Sequence, residues 1–235
     1  MFVMELRSED TINYDINLDK CVGRGSYGRV HVGSRGGQMY ALKFFGYTKN
    51  TRPNFDAINR EIMLMLSLRG CPGCVQLESI FYDSAEGFLR GKNPECLQSY
   101  PVIVMEYIEG DSLLHSIFNR TRQHKAFSEK YLARMFRAVV VALQTIHERK
   151  YIHRDLKVTN VLLLTKEDDE SGPIGVKIID FGFMARIEPP REVFRGTLAG
   201  TSAFLAPESI PSDGETMGEY SVKSDIWQVG CLLYM

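Results

Sequence analysis

Hydrophobic and polar positions follow different patterns in the two halves of the chain. In the first half, glycines join two short β-like runs within residues 22–30, and residues 38–45 are β-rich and alternate enough for a third strand. Residues 101–105 are continuously apolar, which is typical of a buried strand. Polar, glycine-containing stretches predict a long surface loop at 84–99 and an exposed turn between two strands at 165–175.

A single helix is predicted within this strand-rich half. It begins near Asn54 or Asp56, and apolar side chains then recur at helical spacing. Four of them fall on one face: Phe55, Ile58, Ile62 and Met65.

The second half is predicted to be mainly helical. Ser128 is a plausible N-cap because its hydroxyl can accept a hydrogen bond from the first turn. A wide apolar stripe follows and predicts a core helix, and it contains Leu132, Met135, Phe136, Val139, Val140, Leu143 and Ile146.

Composition narrows the class of protein. The 235 residues include 28 basic and 29 acidic side chains, so the net charge of −1 argues against a general nucleic-acid binder. No apolar run approaches the length of a membrane span, so no membrane partner is expected. The first ten residues lack the order of a secretory signal, which predicts a cytoplasmic or nuclear protein.

Five cysteines are present without regular spacing. Cys71 and Cys74 flank a Pro-Gly pair and are compatible with half of a zinc site or with a redox pair. No second pair of ligands lies at a matching distance, so we expect two reduced thiols in a turn.

The most informative segment is residues 151–160, YIHRDLKVTN, together with DFG at 180–182. Phosphoryl transfer needs positioning and charge neutralisation. Asp155 can orient a hydroxyl and accept its proton, and Lys157 can neutralise a moving phosphate. Asn160 and Asp180 offer oxygen ligands, which Mg²⁺ prefers.

A second informative segment, which is rich in glycine, lies at residues 23–30, GRGSYGRV. Glycine lets the backbone approach a ligand, so that N–H groups can face phosphate oxygens. A Rossmann motif requires the glycines to open a helix, whereas a strand-like stretch follows here.

These segments resemble the catalytic loop, metal-binding turn and glycine loop of eukaryotic protein kinases. Residues 197–208, TLAGTSAFLAPE, resemble the end of the activation segment of serine/threonine kinases, and Lys157 also matches that subclass. The resemblance runs from about Leu18 to the C-terminus.

The resemblance implies an α+β, bilobal fold. A small antiparallel β-sheet lobe with one helix would span 14–104, a hinge 105–111, and a partial, mainly helical C-terminal lobe 112–235, with the activation segment at 180–208. The chain ends at Met235 inside what resembles a central helix. The family's last helices are therefore expected to be missing.

The resemblance also implies a nucleotide site for ATP. Lys43 would hold the α/β phosphates with Glu61 as its partner, and the backbone of Glu106 and Ile108 would meet the adenine edge. Asn160 and Asp180 would hold Mg²⁺. The remaining ATP-binding residues would be Val22, Gly23, Gly25, Ser26, Gly28, Val30, Ala41 and Met105.

Two threonines and one arginine are singled out near the acceptor site. Thr201 would lie beside Asp155 and Lys157 and help to seat the acceptor hydroxyl. Arg154 would read a phosphate on the activation segment, with Thr197 as the phosphorylation site of an upstream kinase. An unmodified Thr197 in a mobile loop is the open alternative.

The function expected from the resemblance is that of an ATP-dependent serine/threonine protein kinase acting on protein substrates. Two other functional classes are compatible with parts of the sequence. One is a catalytically weak or silent kinase-like module that binds a nucleotide or a partner, which the incomplete C-terminal lobe favours. The other is a small-molecule phosphotransferase, which the segment 200–208 disfavours because it builds a platform for a peptide acceptor.

Overall fold

A computed structural model of the chain describes residues 14–25, 28–45, 54–82, 101–164, 174–212 and 215–235. The chain divides into two units. The first contains Met1–Pro53 and Glu78–Tyr107, and the second contains Asn54–Leu77 and Ile108–Met235. No helix in the described part of the chain is both long enough and apolar enough to cross a bilayer.

The first unit is organised by a five-stranded sheet in the order β1-β2-β3-β5-β4. The pairs β1/β2, β2/β3 and β3/β5 are antiparallel. The strands predicted around residues 22–30, 38–45 and 101–105 are therefore confirmed. Their bounds are β1 (Asp15–Gly25), β2 (Gly28–Arg35), β3 (Gln38–Phe45), β4 (Leu77–Tyr82) and β5 (Pro101–Glu106).

The two faces of this sheet differ in character. Directly opposed residues share a face, and residues two apart along a strand return to it. On one face Leu42, Phe44, Val102 and Val104 form a buried apolar cluster. The register Val30↔Lys43↔Ile103 therefore places Lys43 on the opposite face from that cluster.

The described residues of the second unit form four α-helices. The predicted N-cap at Ser128 is confirmed, because its Oγ accepts a hydrogen bond from the Tyr131 amide at 3.2 Å. The helix predicted to begin near Asn54 or Asp56 is capped by Asn54, whose Oδ1 accepts a hydrogen bond from the Ala57 amide at 3.1 Å. These caps satisfy amides that have no partner within the helix. The helices are α1 (Phe55–Ser67), α2 (Leu113–Arg122), α3 (Glu129–Glu148) and α4 (Val222–Tyr234).

The predicted apolar faces need two corrections. Phe55 is 40% exposed and Val140 is 41% exposed, so neither belongs to a buried face. Val140 follows the buried Val139, and consecutive residues are turned about 100° apart around a helix, so only one of the two faces the core. Tyr131 and Ala142 lie on the buried side of α3 and were missed.

Short strands complete the second unit and frame the loops between them. They form a three-stranded sheet in the order β6-β8-β9 and two ribbons, β10/β7 and β11/β12. Single 3₁₀ turns follow at Ser202–Phe204 and Pro207–Ser209. The strands are β6 (Asp111–Ser112), β7 (Tyr151–Ile152), β8 (Val161–Leu163), β9 (Val176–Ile178), β10 (Ala185–Arg186), β11 (Phe194–Thr197) and β12 (Met217–Tyr220).

Two predicted loops fall on undescribed stretches. The loop predicted at 84–99 lies outside the described residues, as does most of the turn predicted at 165–175. The strands expected on either side of that turn are present, because β8 and β9 pair in antiparallel fashion.

Candidate active site

The loop between β7 and β8 carries a hydrogen-bonded cluster around Asp155. Its Oδ2 accepts a hydrogen bond from Lys157 Nζ at 2.6 Å, and its Oδ1 accepts one from Thr201 Oγ1 at 2.8 Å. Lys157 Nζ also donates to Thr201 Oγ1 at 3.1 Å. Asp155 is buried apart from 2% of its surface, so a carboxylate, an ammonium and a hydroxyl meet at a site largely shielded from water. Charge-assisted bonds of this kind fix geometry well.

Hydrogen bonds link Asn160 both to Asp155 and to the residue that precedes Asp180. Asn160 Nδ2 donates to the Asp155 carbonyl at 2.9 Å, and Asn160 Oδ1 accepts a hydrogen bond from Thr159 Oγ1 at 3.3 Å. The Asn160 carbonyl accepts from the amide of Ile179, the residue before Asp180, at 2.9 Å. The backbone therefore ties the two predicted metal ligands together.

This donor set fits Mg²⁺. The ion is usually held by one or two carboxylates, with phosphates and waters completing its shell. The described residues contain no cluster of three or more His, Cys, Asp or Glu side chains suited to a metal. An amide oxygen and an exposed carboxylate at Asp180 match a magnesium site that is completed by a nucleotide.

Helix α4 holds the catalytic loop through the loop's backbone. Asp225 Oδ2 and Oδ1 accept hydrogen bonds from the amides of His153 at 2.8 Å and Arg154 at 2.9 Å. Gln228 Oε1 accepts from the Leu156 amide at 2.8 Å, and Gln228 Nε2 donates to the Arg154 carbonyl at 3.0 Å. These four backbone groups are thereby satisfied without solvent, as buried backbone requires.

Two site residues have left-handed backbone conformations. Arg154 has a φ of 70° and Asp180 a φ of 65°. Residues other than glycine adopt this backbone region at a cost of about 1–2 kcal/mol. Such strain persists where the surroundings fix it, and it concentrates at functional sites. The bonds from Asp225 and Gln228 on either side of Arg154 supply that fixation.

His153 is a fully buried residue of this loop, and its ring makes both a hydrogen bond and an aromatic contact. Its Nδ1 accepts from the Asp155 amide at 3.3 Å, and its ring meets Phe181 edge to face with centroids 6.0 Å apart. Burial lowers the pKa of His153 below its ordinary value, although three nearby carboxylates oppose the shift. Met65 and Phe181 are likewise buried.

Arg154 is surrounded by carbonyls and aromatic rings. It donates to the Phe183 carbonyl at 3.3 Å and to the Thr197 carbonyl at 2.9 Å. Its guanidinium carbon lies 4.1 Å from the ring centroid of Tyr220 and 4.9 Å from that of Phe194. Burial lowers the pKa of the guanidinium, and Tyr220 and Asp225 oppose that shift.

The predicted nucleotide-binding side chains of the first unit share one sheet face. The register Val32↔Ala41↔Met105, with Val30↔Lys43 two residues further along, puts Ala41, Lys43, Met105 and Val30 on that face. Val22 lies at a register irregularity between Cys21 and Gly23 on β1, so the register does not assign it to this face, and it is half exposed. Apolar side chains around one lysine suit an aromatic base with charged phosphates.

The glycines of the first unit have different physical roles. A Cβ at Gly28 would lie 2.0 Å from the Phe44 carbonyl, so glycine is required there for close strand packing. A Cβ at Gly23 would make ordinary contacts, so packing alone does not require glycine at that position. Gly25 pairs with Gly28 across β1 and β2, and Ser26 lies outside the described residues.

The remaining residues predicted for the nucleotide site are divided between the two units. Lys43 belongs to the first unit, and Glu61 is buried on α1 in the second unit. A Cβ at Gly182 would lie 3.9 Å from Glu61 Oε2, so Glu61 faces the DFG turn. Glu106 ends β5, and the Ile108 carbonyl accepts from the Gly110 amide at 3.0 Å.

Sequence reasoning missed two residues of this site. Gln228 is buried and bonds the catalytic loop from α4, and Tyr220 packs on Arg154. The spacing of Gln228 three residues after Asp225 could have been noticed in the sequence, because residues three apart share a helix face. Tyr220 has no comparable local signal, since its contacts come from distant parts of the chain.

Comparison with known proteins gives a family and several relatives. The family model for the protein kinase domain matches residues 16–235. Calcium-dependent protein kinase 17 of Arabidopsis thaliana is 30% identical over 97% of this chain, which covers 38% of that protein. The serine/threonine-protein kinase RAD53 of Saccharomyces cerevisiae is 30% identical over 93% of this chain, which covers 24% of it.

The chain thus spans well under half the length of these relatives. The comparisons give no support to a silent binding module. Because the family model extends over nearly the whole sequence, from the first strand of the sheet to α4, the chain belongs to the protein kinase domain family.

Proposed function

We propose that this chain transfers the γ-phosphate of ATP to serine or threonine hydroxyls of protein substrates. The observation that carries the proposal is the cluster in which Asp155 Oδ1 and Oδ2 are bonded to Thr201 and Lys157. The relatives named as serine/threonine or calcium-dependent protein kinases support the same activity.

Asp155 would orient the acceptor hydroxyl and take its proton as the oxygen attacks the γ-phosphorus. Lys157 would stabilise the charge that develops on the transferred phosphoryl group, because its ammonium already lies 2.6 Å from Asp155 Oδ2. Thr201 would fix the two groups relative to the acceptor. The O–P bond to ADP breaks as the new O–P bond forms, so atoms and charge balance.

Asn160 and Asp180 would hold Mg²⁺, which neutralises charge on the phosphates when bound. The sheet face that carries Val30, Ala41 and Lys43 would take the nucleotide, with Lys43 on the α/β phosphates. Gly23, Gly25, Ser26 and Gly28 would cover the phosphates through their backbone. Val22, Met105 and the backbone of Glu106 and Ile108 would surround the adenine, and Glu61 would orient Lys43.

The domain limits that accompany this function are also proposals. The nucleotide-binding lobe would span 14–104, the hinge 105–111 and the catalytic lobe 112–235. Thr197 is retained as a candidate phosphorylation site for an upstream kinase because its side chain is exposed. A reducing compartment, cytoplasm or nucleus, fits the free thiols of the buried Cys71 and Cys74.

The activity is tested by transfer of labelled γ-phosphate from ATP to a generic protein substrate. The chain and its Asp155→Asn variant are compared, with Asp111→Asn as a matched control because Asp111 is exposed. Phosphoamino-acid analysis of the product should give phosphoserine and phosphothreonine. Transfer by Asp155→Asn at the rate of the unmodified chain would contradict the role of this carboxylate.

Label that reaches a small alcohol or sugar but no protein would favour the small-molecule phosphotransferase instead. Nucleotide binding without any transfer would favour a silent module. The three classes are therefore separated by one set of assays.

A further inference from the structure

The guanidinium of Arg154 is a buried cation with neutral partners. Only 8% of the residue is exposed, and in the described part of the chain its N–H groups donate to the Phe183 and Thr197 carbonyls and to no carboxylate. Its Nε has no hydrogen-bond acceptor among those residues. Buried charges normally need a compensating partner. Here the rings of Phe194 and Tyr220 contribute to it, because aromatic faces attract cations, and the nearby Asp225 carboxylate also favours the charged form.

Tyr220 makes a second set of contacts through its hydroxyl. The hydroxyl accepts a hydrogen bond from the Ala199 amide at 2.8 Å and lies 3.3 Å from the Ala199 carbonyl, to which it donates. Ala199 lies two residues before Thr201, whose hydroxyl donates to Asp155. One buried side chain therefore contacts Arg154 of the catalytic loop and also fixes the backbone that leads to the acceptor site.

The ribbon of β11 and β12 brings this side chain into place. Phe194 opposes Tyr220, and Thr197 opposes Met217 at the other end. Arg195 and Glu219 add an exposed ion pair at 2.9 Å between the same strands. The activation segment is thus paired as a strand with residues beyond the APE motif over four successive positions.

We propose that Tyr220 is a positioning residue that seats the activation segment against the catalytic loop, and that this seating needs no phosphate on Thr197. The inference rests on the proposed kinase function. A phosphate would order such a segment by giving Arg154 an anionic partner. In this structure Arg154 already binds the segment through the Thr197 carbonyl, while the Thr197 side chain is exposed.

Hydrogen–deuterium exchange tests the seating without reference to activity. The Ala199 amide should be protected in the unphosphorylated chain. Tyr220→Phe keeps the ring and loses the hydroxyl, so exchange of this amide should accelerate about tenfold, the order expected for one lost hydrogen bond from a buried donor. Tyr234→Phe is the matched control, because Tyr234 is 94% exposed on α4, and Thr197→Ala should leave the protection intact.

Steady-state kinetics test the consequence for catalysis. Tyr220→Phe should lower kcat/KM for a peptide acceptor about tenfold, with the KM for ATP unchanged, because its hydroxyl acts on the acceptor side through Ala199 and Thr201. Tyr220→Leu, which also loses the stacked ring, should fall further. Thr197→Ala and phosphatase-treated protein, shown by mass spectrometry to be unphosphorylated, should remain fully active.

Two results would overturn the proposal. One is activity that appears only after Thr197 is phosphorylated. The other is an Ala199 amide whose exchange is the same in Tyr220→Phe as in the unmodified chain. If the unmodified chain transfers no phosphate at all, the kinase function fails, whereas the exchange experiment still decides the role of Tyr220.

Discussion

At the scale of single residues, Asp155 carries the clearest kinetic prediction. Replacing it with asparagine keeps the shape but removes the charge and the proton acceptor, so kcat should fall by about 10²–10⁴-fold. Thermal unfolding should show that the variant still folds, because the Asp155 amide and carbonyl bonds to His153 and Asn160 are retained. A variant that loses activity only because it unfolds would leave the carboxylate without its assigned role.

The lowered pKa of His153 leads to a prediction of how the stability of the protein changes with pH. Its pKa in the folded state is lowered by burial, while the unfolded value is about 6.5. The unfolded state therefore binds a proton first as the pH falls, and the contribution of neutral His153 is complete above pH ~6.5 and lost below it. Urea unfolding at a series of pH values should show stability decreasing from pH ~7 towards pH ~5.

The variant His153→Phe should flatten that decrease, because the ring remains and the titrating group is gone. The exposed His115 provides the control, since His115→Gln should retain the pH dependence of the unmodified chain. An equal slope in His153→Phe would assign the pH dependence to other groups.

At the scale of elements, α4 is predicted to be the support of the catalytic loop. Asp225→Ala leaves the buried amides of His153 and Arg154 without acceptors, and each such loss costs about 1–3 kcal/mol. The free energy of unfolding, measured with urea, should therefore fall by roughly 2–5 kcal/mol. Lys223→Ala, an exposed change on the same helix, should cost little. A similar loss in both variants would attribute the effect to the helix itself.

Elements with local signals were predictable from the sequence. The helix start near Asn54, the cap at Ser128 and the strand at Gln38–Phe45 depend on neighbouring residues, and the structure confirms them. The β11/β12 ribbon pairs residues 20 to 26 positions apart across the 3₁₀ turns. The ribbon also packs closely at Gly218, where a Cβ would lie 2.0 Å from the Ser209 carbonyl. No periodicity in the sequence encodes that contact.

At the scale of the whole molecule, motif order in the sequence was sufficient to predict the fold class. The α+β kinase-like architecture is confirmed by the family model and by the antiparallel sheet that precedes the helices. Of the cluster around Asp155, only the residues that lie within the recognised motifs were predicted from the sequence. The placement of Tyr220 on Arg154 required the three-dimensional fold, because a buried cation among carbonyls has no signature in composition.

Nucleotide binding should be visible as a change in the stability of the whole chain. A ligand at 100 times its Kd stabilises the folded state by about 2.7 kcal/mol, which corresponds to a rise in Tm of roughly 5–10 °C for a protein of this size. Mg²⁺ with ATP should therefore raise the Tm, and ATP with a chelator should raise it less. Lys43→Met should abolish most of the shift and Asp180→Asn its dependence on Mg²⁺, whereas Lys130→Met, a matched change at an exposed position, should alter neither. A full shift in Lys43→Met would place the nucleotide away from the sheet face that carries this lysine.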